Sequence, residues 1–404
     1  MSKESGNQAQ ARILFVEGNI DGTIGGSYFS LLFLIDGLDK SRFEPVVVFR
    51  NEHSLIPRYE AAGARVCVIP APDPLVFAEP GATSWPGYKI LFPVLRLLQK
   101  AVNVIRFLPL AALKARRFIR TEQVDLVHLN NSVLRNHDWV IGAVLLGTPC
   151  VTHERGINPR YSWLAHLLAP RLRGIICISE AVKRSLLDGN IAQPNMPVIY
   201  NGIDPAVMAA PEPAPVRERY ALPADAVVIG VVGNIKQWKG QETAIRAMPQ
   251  VLADCPHAYC LLIGDTSPDD QPYRQQLDEL IESLGISAHV VFTGYTADVP
   301  GYMSALDVVL HTSIDPEPFG RVLIEAMSLS KPLIGAAAGA VPEIIDDGTT
   351  GLLFEPGNAD SLARRIMVLL QDMEAAATMG VAGNRRLLEY FHIDECVRKT
   401  QDVY

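Results

Sequence analysis

The segment SIDPEPFGRVLIEAMSLSKP, residues 313–332, holds two glutamates, Glu317 and Glu325, with seven residues between them. Pro316 and Pro318 keep the chain extended, Gly320 allows a sharp turn into the helix-forming run RVLIEAMSLS, and Pro332 ends it. The helix therefore starts close to Phe319 and Gly320, and its unpaired first-turn N–H groups make an anion site. Glu317 precedes that terminus and Glu325 lies inside the helix, so the pair can touch different parts of one elongated ligand. The plainer alternative is that both are solvated or capping residues.

Something must hold these groups in place, and the apolar runs show what. RILFVE (12–17), PVVVF (45–49), ARVCVIP (64–70), VDLVHLN (124–130), PCVTH (149–153) and GIICIS (174–179) are short and nearly continuous, with helical stretches between them. Such strands form a parallel sheet covered on both faces. After VIYNGIDP (198–205) and a short Pro/Ala/Glu stretch around 210–216 the rhythm restarts with VVIGVVGN (227–234), AYCLLIGD (258–265), HVVFTGY (289–295), LDVVLHTS (306–313) and PLIGAA (332–337). The expected fold class is α/β: two doubly wound, Rossmann-like domains, residues 11–204 and 205–385, after a flexible 1–10 and before a final segment 386–404. In such sheets ligands bind beyond the carboxyl ends of the strands, so the Gly-rich and polar tips should face one interdomain cleft.

Composition narrows the partners. A chain of 404 residues exceeds what one core usually serves. Its 36 basic and 44 acidic side chains leave a net charge of −8, which speaks against a general nucleic-acid binder. The six cysteines, Cys67, Cys150, Cys177, Cys255, Cys260 and Cys396, form no CxxC pair and accompany no zinc-type His spacing, which reads as a reducing cytoplasm. MSKESGNQAQ lacks the apolar core of a signal peptide, and no uncharged run approaches the ~20 residues of a membrane span. The loop EGNIDGTIGGS carries no Gly-x-Gly-x-x-Gly, which disfavours a hydride-transfer enzyme.

One segment departs from these averages. Residues 88–121 contain eight Lys or Arg and no Asp or Glu, interleaved with apolar residues at helical spacing and interrupted by Pro93 and Pro109. That pattern suits a surface lying on anionic lipid headgroups. It also suits a helix pair whose apolar face packs on the sheet and whose basic face is merely solvated.

EPFGRVLIEAM resembles the signature of glycosyltransferase family 4, retaining enzymes with the GT-B fold, in which paired glutamates flank a Phe-Gly. Other segments agree in order: VVGNIKQWKGQETAI (231–245) is similar to the family's first C-terminal strand and phosphate loop, AAAGAVPEIIDDGTTGLLFEPGN (336–358) to its Gly-x-Pro-Glu segment, and VIYNGID to its interdomain hinge. RRLLEYFHIDECVRKTQDVY resembles the C-terminal helix that crosses back to the N-terminal domain. The resemblance implies transfer of a sugar from a UDP- or GDP-linked donor, with retention, without a metal and without a cofactor beyond the nucleotide sugar. The expected acceptor is a lipid-linked oligosaccharide or cell-envelope polysaccharide precursor, and the expected location is cytoplasmic, peripheral on the inner face of the membrane.

By the same carry-over Glu317 contacts hydroxyls of the transferred sugar, Glu325 binds the ribose and Lys239 binds the diphosphate. A departing diphosphate gains negative charge, which cations and N–H dipoles stabilise; Phe319, Gly320, Gly339 and Ala340 offer backbone groups there. The family commonly has Arg after the strand glycine, whereas Asn234 follows Gly233 here, so Lys236 or Arg321 is expected to substitute. Gly25 and Gly26 resemble the glycine pair after the first strand, or are a plain turn. His153 resembles the histidine beside the transferred sugar, or is a hydrogen-bonded structural residue. Asp21, Asn130, Asn131, Glu154 and Arg155 sit at neighbouring tips and are candidates for the acceptor side, or for ordinary loop positions. Two other classes share the two-domain outline: a nonhydrolysing nucleotide-sugar epimerase, disfavoured by the paired glutamates, and a noncatalytic nucleotide-sugar-binding scaffold, to which Asn234 lends some weight.

Overall fold

The computed structural model describes residues 10–19, 25–70, 75–77, 86–209 and 215–404. Two compact units emerge: residues up to Cys177 with Lys183–Val198 and Lys399–Tyr404, and Ile178–Val182 with Ile199–Arg398. Residue 386 lies inside the helix Met373–Tyr390; the last helix, Ile393–Val403, starts in the second unit and ends in the first.

In the first unit β1 (Ala11–Val16), β2 (Phe43–Phe49), β3 (Arg65–Val68), β4 (Leu126–Leu129), β5 (Cys150–Glu154) and β6 (Gly174–Cys177) form one parallel sheet in the order β3-β2-β1-β4-β5-β6. The second unit repeats this arrangement with β7 (Val227–Val232), β8 (Ala258–Ile263), β9 (Val290–Gly294), β10 (Val308–His311), β11 (Leu333–Ala336) and β12 (Leu352–Phe354), in the order β12-β11-β10-β7-β8-β9. Residues such as Leu14, Phe15, Val127, Val151, Leu261 and Val309 are fully buried, as expected for strands covered on both faces. β12 is the one strand that the apolar runs do not announce; it is three residues long, inside a segment legible mainly by its Gly and Pro.

In each sheet the strand order reverses direction once, between β1 and β4 and between β7 and β10. At such a point the connections leave toward opposite faces, so the strand ends splay apart and open a crevice. The tips after β1 and β4 carry Glu17, Asn130 and Asn131; those after β7 and β10 carry Gly233, Asn234, Thr312 and Ser313.

Residues 88–121 do not form the helix pair that was the alternative to a lipid-facing surface. A single helix, Pro86–Thr121, runs through both Pro93 and Pro109. At 1.5 Å per residue it is about 54 Å long. Its C-terminal part is packed: Ala112, Ala115 and Ile119 are buried, and a Cβ at Gly142 would stand 2.8 Å from the backbone N of Arg116. The N-terminal part exposes Ile90 (80%), Leu97 (70%) and Ile105 (76%). Among the described residues no helix is long and apolar enough to cross a membrane.

The turn after β7 depends on Gly240, the N-cap of the helix Gln241–Asp254, at φ +67°. A Cβ there would lie 2.1 Å from the Thr312 carbonyl oxygen. Two bonds tie this turn to the tip of β10: Thr312 Oγ1 donates to the Lys239 carbonyl (2.8 Å) and Ile314 N to the Trp238 carbonyl (2.9 Å). Gly240→Ala should therefore cost about 1–3 kcal/mol, read from the urea midpoint; an unchanged midpoint would contradict this account of the turn.

Candidate functional site

In the second unit the two tips at the switch point converge on one carboxylate. Glu317 Oε2 accepts from Lys239 Nζ at 2.9 Å and from Ser313 Oγ at 2.9 Å, and lies 3.3 Å from His311 Nε2. Lys239 comes from the turn after β7, while His311 ends β10 and Ser313 follows two residues on. Lys239 Nζ also sits 4.1 Å from the centroid of the Trp238 ring, a cation–π contact that limits where the ammonium can go.

The backbone around Glu317 is fixed from the far side. Glu317 and Gly339 form a parallel bridge, and Ala340 N donates to the Glu317 carbonyl at 2.8 Å. Gly339 has φ +61°, and a Cβ there would stand 2.2 Å from that same oxygen. Only glycine permits this approach. Gly320 is the N-cap of the helix Arg321–Ser328, which has no side-chain cap and no acid in its first turn. Its leading N–H groups thus remain available to an anion a few residues from Glu317.

Electrostatics set what Glu317 can do. Burial by itself raises a carboxyl pKa, but the hydrogen bond with His311 and the charge and hydrogen bond of Lys239 outweigh it and hold Glu317 well below the usual carboxylate range. A carboxylate so acidic is a poor proton acceptor at neutral pH and a good acceptor of hydrogen bonds. Lys239 has two further N–H donors beyond the one used on Glu317. Carboxylate, ammonium and helix terminus together suit a ligand with hydroxyls at one end and phosphate beside them.

The other expected donor-side residues are arranged as follows. Arg321 Nη2 lies 3.2 Å from Glu325 Oε1, so these two sit together on the helix. Lys236 Nζ is 3.8 Å from Asp270 Oδ2. The Asn234 carbonyl accepts from Gln241 Nε2 at 3.0 Å, and Gly233 N donates to the Ile263 carbonyl. The Phe319 ring is buried between Tyr200 and Phe391 (6.2 and 6.0 Å between centroids), leaving its backbone as what it can offer a ligand.

In the first unit, Gly25 and Gly26 open the helix Gly26–Asp36, again without a side-chain cap. Asn130, Asn131, Glu154 and Arg155 are engaged with the protein itself. Glu17 accepts from both asparagine amides, with Asn130 Nδ2 at 2.6 Å, and Arg155 Nη2 donates to Asn130 Oδ1 at 2.9 Å. Glu154 Oε2 accepts from Val133 N at 2.8 Å. His153 is buried, its Nδ1 3.3 Å from His128 Nε2, and its Nε2 finds no partner among the described residues. Asp21 lies outside the described residues. Among the described residues no group of three His, Cys, Asp or Glu is set to hold a metal ion.

Sequence reasoning did not single out His311, Ser313, His128, Tyr404 or Glu17. For the first two a signal existed: LHTS ends a buried strand with His311 and Ser313 two apart, hence on one face, directly before Glu317. Tyr404 reaches His128 only through the fold.

Two family models match the chain. That of Glycosyltransferase Family 4 covers residues 24–207 and that of Glycosyl transferases group 1 covers residues 215–386. The chain is 28% identical over 231 residues to N-acetyl-alpha-D-glucosaminyl L-malate synthase of Bacillus anthracis, covering 56% of this chain and 59% of that protein. Over 191 residues it is 32% identical to the GDP-mannose-dependent alpha-(1-6)-phosphatidylinositol monomannoside mannosyltransferase of Mycolicibacterium smegmatis, covering 45% and 48%. The chain thus spans about half to three-fifths of the length of these curated relatives. Among solved structures, Anabaena Alr3699/HepE in complex with UDP superimposes with a TM-score of 0.78 at 25% identity, over 97% of this chain and 98% of that one.

Glu154 gives the site a measurable pH signature. Burial raises its pKa to about 7 from 4.5, against the opposing hydrogen bonds of Val133 N, the Ser132 side chain and Gly156 N. A raised carboxyl pKa favours the fold fully below the unfolded value near 4.5, and this contribution disappears as pH rises to about 7. A difference of that size corresponds to roughly 3 kcal/mol. The stability gap between wild type and Glu154→Gln should therefore shift against wild type from pH 4.5 to 7 and stay level above. Urea denaturation across that range checks it, and a gap independent of pH would contradict it.

Proposed function

Because the chain belongs to glycosyltransferase family 4, we propose that it moves a sugar, with retention, from a nucleotide diphosphate sugar to a hydroxyl of a lipid-linked oligosaccharide or cell-envelope polysaccharide precursor. The observation that carries this reading is the cluster of Glu317, Lys239, Ser313 and His311 beside the helix terminus at Gly320. Glu317, ionised, accepts hydrogen bonds from hydroxyls of the transferred sugar. Lys239 keeps one donor on Glu317 and turns the others to the diphosphate, and the first N–H groups after Gly320 add positive potential as the leaving group gains charge. Glu325 accepts from ribose hydroxyls, with Arg321 holding it in position.

Such a site needs no strong base. The leaving phosphate takes the acceptor proton on the same face from which the sugar departs, which accounts for retention without a carboxylate poised as a nucleophile. No divalent metal enters, since the cationic work falls to Lys239, the helix terminus, and Lys236 or Arg321 where other family members commonly carry Arg after the glycine. UDP as the nucleotide is supported by the UDP complex of Alr3699/HepE, and GDP by the name of the Mycolicibacterium relative.

The lipid-linked acceptor rests on the helix Pro86–Thr121. Its N-terminal part presents Ile90, Leu97 and Ile105 to solvent beside exposed Arg96 and Arg106, with no acid along the segment. Leu75, Val76 and Phe77 run alongside, held by paired bonds between Leu75 and the Asn103 side chain (2.9 and 3.0 Å) and by Phe77 N to Gln99 Oε1 (2.6 Å). This basic and apolar face suits the headgroup region of an anionic bilayer, where a polyprenyl-type acceptor is anchored.

Lys239→Ala should still fold, though less stably because Glu317 loses its charged partner, and lower nucleotide release from the donor by about 10²–10³-fold. Glu317→Gln should keep the bonds from Lys239 and Ser313 yet lose most turnover; full activity in both would sink the assignment. Replacing Arg96, Arg106 and Lys114 by Glu should weaken co-sedimentation with phosphatidylglycerol vesicles at least about 100-fold, at roughly 1 kcal/mol per basic residue. Unchanged sedimentation would remove the helix from the acceptor argument.

A further inference from the structure

His153 is one end of a chain of three hydrogen-bonding side chains within the first unit. It lies on β5 beside β4, which carries His128, and His153 Nδ1 is 3.3 Å from His128 Nε2. His128 Nδ1 in turn is 2.7 Å from the Tyr404 hydroxyl. Tyr404 is seated by edge-on contacts with Phe43 (5.7 Å) and Phe15 (6.4 Å), and the helix before it is pinned by Asp39 N donating to Gln401 Oε1 at 2.8 Å. The far nitrogen of His153, Nε2, is buried and finds no partner among the described residues.

Both imidazoles are neutral at physiological pH. Burial pushes His128 down to about 3, and burial together with the Arg155 charge keeps His153 well below its ordinary value. A neutral imidazole has one N–H, so protons along Tyr404, His128 and His153 can point only one way or the other. The 2.7 Å contact matches the usual length for a hydroxyl donor, whereas N–H donors to oxygen centre near 2.9–3.0 Å. A phenol is also the better acid of the two. Tyr404 O–H therefore donates to His128 Nδ1, which places the His128 proton on Nε2; that N–H donates to His153 Nδ1, which leaves the His153 proton on Nε2.

We propose that His128 and Tyr404 are positioning residues that lock His153 in the tautomer carrying its proton on Nε2, which has no partner among the described residues, so that it serves a ligand oxygen as a hydrogen-bond donor. This rests on the reading of His153 as the residue beside the transferred sugar. It follows that His153 accepts no proton from the acceptor hydroxyl: its free nitrogen already bears one, and its other nitrogen is occupied by His128. A buried N–H without a partner is costly, and a sugar oxygen accepting from it recovers that cost.

The test is the tautomer of His153 in the full-length chain labelled with 15N-histidine, read from the two- and three-bond 15N–1H couplings and assigned by the signal missing in His153→Gln. Wild type should show the proton on Nε2. Tyr404→Phe should leave His153 populating both tautomers and reduce kcat for donor consumption about 10-fold, with KM for the nucleotide sugar little changed. A wild-type His153 protonated on Nδ1 overturns the proposal without any variant, and so does a Tyr404→Phe protein whose tautomer and kcat match wild type. The couplings are recorded without nucleotide sugar. The expected tautomer in a chain that consumes no donor would therefore count against the transferase reading and leave this assignment intact.

Discussion

The second unit is organised around one buried carboxylate that must stay ionised. Glu317 gives up solvation, and its three partners, Lys239, Ser313 and His311, come from the tips of two neighbouring strands that diverge at the switch point of the sheet. Much of the local backbone follows from that requirement. Gly339 must be glycine so that the segment carrying Glu317 can bridge to it, and Gly240 must be glycine so that the turn bearing Lys239 can pass under Thr312. Removing one partner from such a group is costly because the others are left facing an uncompensated charge. The same pre-set geometry lets the site meet hydroxyls and phosphate without rearranging at the moment of reaction.

The first unit answers the same topological opportunity differently. The tips after β1, β4 and β5 are filled by Glu17, Asn130, Asn131 and Arg155, which bond to one another, and by Glu154, which accepts from Val133 N. A buried polar network of this kind holds strand ends rigid when every member is satisfied. His153 Nε2 departs from that pattern: it is buried and finds no partner among the described residues. Buried orphans of this sort are uncommon in folded proteins and call for an explanation.

Both sheets were legible in the sequence because parallel strands are buried on two faces and so read as unbroken apolar runs, as in VVIGVV and GIIC. β12 was not, because three residues carry too little pattern. The long helix defied its two prolines. Both are exposed, so the carbonyls they leave unpaired can be solvated and the helix continues. Glu317 and Lys239 could be named from local motifs, but their contact joins segments far apart in sequence. Tyr404 and His128 were beyond reach for that reason alone: nothing local to either marks the other. Asn130 and Asn131 read as exposed polar loop tips, whereas the buried Glu17 carboxylate draws them inward.

The measurement that bears most directly on the account is a mass-spectrometric donor screen. The full chain is incubated with a panel of UDP- and GDP-sugars and membrane lipid extract in excess EDTA, following free nucleotide and lipid mass together. The account predicts that one donor releases its nucleoside diphosphate in step with a lipid that gains one sugar, and that EDTA does not prevent it. A donor that is bound or isomerised while no lipid or saccharide gains mass would contradict it.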